Sequence, residues 1–112
     1  MMAEETAKII KEFCDLNAKA GGNCSEWCIG TTDDVERHLF GELGITRDYP
    51  WCIYRCALSA KEARAIMLGF HNIGFEASFG GRGNEDETAV YVFAYRKVIA
   101  ARKDLLESSL RA

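Results

Sequence analysis

The run 27–40 constrains the fold more than any other stretch of the chain. Trp27, Cys28 and Ile29 form a short apolar strand, which is expected to turn at Gly30 into the threonines and aspartates of a helix start. Thr31, Thr32, Asp33 and Asp34 offer side-chain oxygens to the first free N–H groups of that helix, and both Asp33 with Glu36 and Thr31 with Asp34 have capping-box spacing. Val35, Leu39 and Leu43 fall on one helical stripe. Arg37 then points away from the core, free to meet a ligand or water.

The 112 residues suffice for one domain, 1–112, with a real core; 48% are hydrophobic and 28% charged, with a single proline, as in an ordinary folded protein. A net charge of −3 and a pI of 5.4 count against binding nucleic acid through a general basic surface. No apolar run has the ~20 residues of a membrane helix, so a cytoplasmic protein without membrane partners is expected. Five cysteines, an odd number with no export signal, are expected as reduced thiols. Cys52 and Cys56 on one strand stand about 13 Å apart, too far for one zinc ion. A zinc site would need pairing across strands, for example Cys28 with Cys52, and buried small hydrophobes are the preferred reading.

Taken in order, residues 3–20 form an amphipathic helix with Ile9, Phe13, Leu16 and Ala20 inward and Gly21-Gly22 as its stop. The helix after Gly30 ends near 41–44, and a second strand covers 51–58, buried on both faces. Ser59 and Glu62 are a capping box opening a helix with Ala63, Ile66, Met67, Phe70 and Ile73 on its apolar side, closed at 72–74. Residues 75–88, with Gly80-Gly81-Arg82-Gly83-Asn84 and a following acidic triplet, are expected to be a surface loop in which Arg82 could help to cradle a phosphate. A third strand at 89–95, covered on both sides, and a terminal helix at 96–110 complete an α/β fold: a three-stranded sheet flanked by helices in the order αβαβαβα. Arg96, Lys97, Arg102 and Lys103 are the densest basic cluster, read as a solvated helix face.

Cys28-Ile29-Gly30-Thr31-Thr32 followed by Asp33-Asp34-Val35-Glu36-Arg37 resembles the second half of the GIY-YIG nuclease signature. The match continues through a strand at Trp51 and Ser59-Ala60-Lys61-Glu62-Ala63-Arg64 to cover 27–73, and the tail with Gly80-Gly81 and Val90-Tyr91 is similar to a group of small bacterial proteins sharing a degenerate form of this core. The resemblance implies a helix arginine at Arg37 and a strand glycine at Gly30. In that family two tyrosines, the arginine and a glutamate holding Mg²⁺ perform cleavage. Here Cys28 stands in a tyrosine position, no Gly-Ile-Tyr strand precedes it, and the glutamate position falls on Ile66 or Met67. A permuted arrangement would bring Tyr91 or Tyr95 on the late strand to a missing tyrosine's place. The expectation is a non-catalytic module binding a protein or nucleic acid around Arg37, with Gly30, Thr32 and Arg82 contributing. No cofactor is then expected, and Mg²⁺ enters only with retained nuclease activity. The alternatives are a metal-dependent phosphodiesterase drawing its acid from Glu76, Glu85 or Asp86, and a thiol or zinc protein using Cys24, Cys28 and Cys52. Arg37 could instead pair with Asp33 or Asp34, and a homo-oligomer would show as aromatics exposed on the sheet.

Overall fold

The computed structural model describes residues 2–78 and 87–97. The first helix, α1 (Thr6–Lys19), buries Ile9 and Phe13, and its chain stops at Gly21 and Gly22, both with positive φ. There the Gly22 N–H reaches back to the Asn17 carbonyl at 2.8 Å. A single 3-10 turn (Cys24–Glu26) leads into β1 (Trp27–Thr32). A π-helix (Glu36–Glu42), β2 (Cys52–Cys56), α2 (Ala60–Asn72), β3 (Glu76–Ser78) and β4 (Tyr91–Arg96) follow.

The sheet has four strands in the order β2-β4-β1-β3. β4 runs antiparallel to both neighbours, and β1 and β3 are parallel. This corrects the expected three-stranded sheet and its αβαβαβα order. The extra strand, β3, is three residues long and lies inside the stretch read as loop, too short to show an alternation of its own. β4 is central, as its unbroken apolar run implies, whereas β2 is an outer strand and all five of its residues are only half-buried. Arg96 closes β4 rather than opening a helix; the remainder of the expected terminal helix lies outside the described residues.

Strand alternation divides the core in two. Trp27 and Ile29 of β1 with Val92 and Ala94 of β4 face α1 and α2, where Phe13, Ile66, Met67 and Phe70 complete one cluster. On the other side Phe93 meets Val35 and Leu39 from the π-helix, with Tyr54, Tyr91 and Tyr95 packed around them. α2 opens as its sequence implies, the Ser59 hydroxyl accepting the Glu62 N–H at 3.1 Å. It closes at Asn72, before Gly74 (φ 120°), so Ile73 falls off the apolar stripe and is 59% exposed. No described helix is long and apolar enough to cross a membrane.

Two details of the central run differ from expectation. β1 does not end at Gly30 but continues to Thr32, with Gly30 paired to Phe93. The caps are shifted by one residue: the Thr32 hydroxyl accepts the Asp34 N–H at 3.1 Å, and the Asp34 carboxylate accepts the Arg37 N–H at 3.0 Å. The helix then winds more widely than an α-helix, Leu43 N–H bonding to His38 five residues back. That winding carries Leu43 out of the stripe of Val35 and Leu39 and leaves it 40% exposed.

Candidate functional site

The site is built on the sheet face beneath the π-helix. Cys28, Gly30 and Thr32 of β1 stand opposite Tyr95, Phe93 and Tyr91 of β4, all on that face. Gly30 is fixed by packing: a Cβ there would lie 2.7 Å from the Phe93 ring and 2.9 Å from the Ser78 carbonyl. The Phe93 ring fills the space a side chain would need. It lies 5.2 Å from the His38 ring and stacks on Tyr95 at 6.2 Å. The Tyr95 and Ser78 hydroxyls both act electrostatically on the Cys28 sulfur.

Burial raises the Cys28 thiol above the usual cysteine value, with Tyr95 acting against it. The Tyr95 phenol is also raised, chiefly by burial and then by Cys28. Cys52, across from Tyr95 on β2, is pushed up to about 11 by burial. These groups are neutral at physiological pH and form a polar cluster of hydroxyls and thiols without a ready nucleophile.

Arg37 lies at the outer end of the same face. Its guanidinium is 2.7 Å from Asp33 and 3.4 Å from Glu42, and Glu42 is in turn 3.5 Å from the His38 ring. Arg37, Glu42, His38, Phe93, Tyr95 and Cys28 therefore form a continuous row from a 58% exposed guanidinium to a thiol in a residue only 5% exposed. Alongside, Arg47 pairs with Glu36 while lying 4.4 Å over the Phe40 ring. Thr32 is buried beside this row and contributes a turn-forming hydroxyl. Tyr91 sits at the other end of β4, about 13 Å from Tyr95 along the strand. It lines a cleft of about 240 Å³ with Tyr54, Asp33, Asp34 and Glu36.

The remaining candidates are scattered. Cys24 accepts a bond from Asn17 at 3.6 Å, and Cys28 and Cys52 are held apart by β4, which puts their backbones roughly 10 Å from each other. Glu76 is engaged by Lys97, while Arg82, Glu85 and Asp86 lie outside the described residues. Trp27 is buried against Phe75 at 5.9 Å, and Trp51 carries Arg96 at 5.8 Å. Arg55 on β2 is held by Glu12 at 2.8 Å and Glu4 at 3.3 Å. Of the basic cluster, Arg96 pairs with Glu26 and Lys97 with Glu76; Arg102 and Lys103 lie outside the described residues.

The site does not fit the Mg²⁺ of the family it resembles. Ile66 and Met67, at the glutamate position, are each 1% exposed within the apolar core, and neither offers the hard oxygen Mg²⁺ requires. Among the described residues no three His, Cys, Asp or Glu side chains are grouped to hold a metal. Sequence reasoning passed over Ser78 and the His38–Glu42 pair. The pair's four-residue spacing was a visible signal; the approach of β3 to Cys28 was not. Comparison with protein-family models, curated proteins and solved structures finds no match to the chain.

Proposed function

We propose that this chain is a permuted, non-catalytic GIY-YIG-like module that binds a protein partner through the surface around Arg37. The absence of cleavage rests on one observation: Ile66 and Met67 occupy the position of the metal-binding glutamate and are sealed in the core of α2. The permutation is supported by β4, which lies directly against β1 and sets Tyr95 opposite Cys28, the residue in a family tyrosine position. A late strand on the far side of the sheet would have removed that support.

Charge favours a protein over a nucleic acid. Arg37 and Arg47, the cations of this rim, are matched by Asp33, Glu42 and Glu36, so a phosphate would have to displace a carboxylate already in place. All five cysteines are free, which suits a reducing compartment such as the cytoplasm. The exposed large hydrophobics among the described residues are aliphatic or Met, giving self-association through sheet aromatics no support.

The test is a photo-crosslinking amino acid placed at Glu36 in cells that express the chain, with Arg37→Ala as control. The expected outcome is a discrete protein adduct that Arg37→Ala abolishes. A nucleic-acid adduct, or a protein adduct indifferent to Arg37, would overturn the reading.

A further inference from the structure

Beyond the Arg37 surface, a second concavity opens where the chain leaves the π-helix. Gly44 (φ 67°) reverses the chain, and Ile45 N–H is tied to the Leu39 carbonyl at 3.0 Å. The Tyr49 hydroxyl donates to the Arg96 carbonyl at 2.6 Å, pinning the connection to the end of β4. Beneath it lies a half-open cavity of about 520 Å³, within the roughly 300–1,000 Å³ range of small-molecule sites. Its apolar walls come from Leu43, Ile45, Tyr49 and Tyr95, and among the described residues its charged groups are Arg96 and Lys97, with no carboxylate. Burial raises both Tyr49 and Tyr95, so their phenols are neutral.

The two cations differ in freedom. Arg96 is locked, its guanidinium bonded to Glu26 at 2.8 Å and lying 5.8 Å over Trp51. Lys97 has its backbone fixed by the Glu26 carbonyl at 2.7 Å, but among the described residues its side chain is paired only with the exposed Glu76. An ion pair between such exposed partners is easily exchanged. A carboxylate entering the cavity can take Lys97 from Glu76 while its apolar body covers Ile45 and the tyrosine rings.

We propose that this cavity binds a small carboxylate with an aromatic or branched aliphatic body, held by Lys97. The site opens away from the Arg37 surface and meets the row behind that surface only at Tyr95.

The full-length ¹⁵N-labelled chain is titrated with phenylacetate, indole-3-acetate and cyclohexanecarboxylate, each beside its primary amide, and amide shifts are followed. Saturable shifts confined to residues 43–49 and 95–97 are expected with at least one carboxylate, with affinity about 5-fold weaker for its amide. Lys97→Gln should bring the carboxylate down to the amide's affinity, and Glu76→Gln should tighten it by about 3-fold as the competing charge goes. Arg37→Ala should leave the titration unchanged, so the two sites stand or fall separately. Absence of saturable shifts across the panel, shifts centred elsewhere, or equal affinity for acid and amide would overturn the proposal.

Discussion

Cys28, Tyr95 and Cys52 lie side by side across three strands, and burial moves all three in one direction, toward the protonated form. A group whose pKa is raised by folding contributes stability that is complete below its unfolded value and lost as pH climbs through its folded value. For Cys52, raised from 9.0 to about 11, that window runs from about pH 9 to pH 11. Urea unfolding followed across this range should show stability falling, and falling less steeply in Cys52→Ala. Equal slopes in the two proteins would show that the thiol is not buried as described. That Cys28 is a core residue was legible from its apolar neighbours, whereas Cys24, Cys52 and Cys56 are only half-buried and Cys14 is exposed, against the expectation of buried small hydrophobes. Tyr95 as the common partner of Cys28 and Cys52 was not legible, because cross-strand register is a non-local property that no spacing along the chain encodes.

The π-helix is the element in which local rules were followed only part of the way. Val35 and Leu39 obey helical spacing and are buried; Leu43 obeys it in sequence and is expelled by the wider winding. Of the two aspartates before the helix, Asp34 carries the cap and Asp33 only a partly exposed ion pair with Arg37. Asp34→Ala should therefore cost about 1 kcal/mol of stability, while Asp33→Ala should change it by no more than about 0.5 kcal/mol. Chemical denaturation of the two variants decides this, and the reverse ranking would mean that the cap lies where the sequence first placed it. α2 shows the opposite case. Its Ser59–Glu62 start and its inward face of Ala63, Ile66, Met67 and Phe70 were readable because every bond involved is local.

At the scale of the molecule, the α/β class and the central position of β4 followed from hydrophobic pattern alone, while the fourth strand did not. β3 owes its place to pairing with β1 rather than to any preference within three residues. The same limit hid the site: the sequence offers Arg37, Gly30 and two tyrosines, but only the fold puts Tyr95 beside Cys28, leaves Tyr91 at the other end of the strand, and closes α2 over Ile66 and Met67. We propose that this face resembles the nuclease site in shape but does not support metal-dependent cleavage. The most direct test is incubation of the full chain with labelled single-stranded, duplex and branched DNA in Mg²⁺ or Mn²⁺, beside Arg37→Ala, with binding read in the same samples. The expected result is no cleavage of any substrate by either protein. Cleavage that depends on the divalent metal and disappears in Arg37→Ala would contradict it.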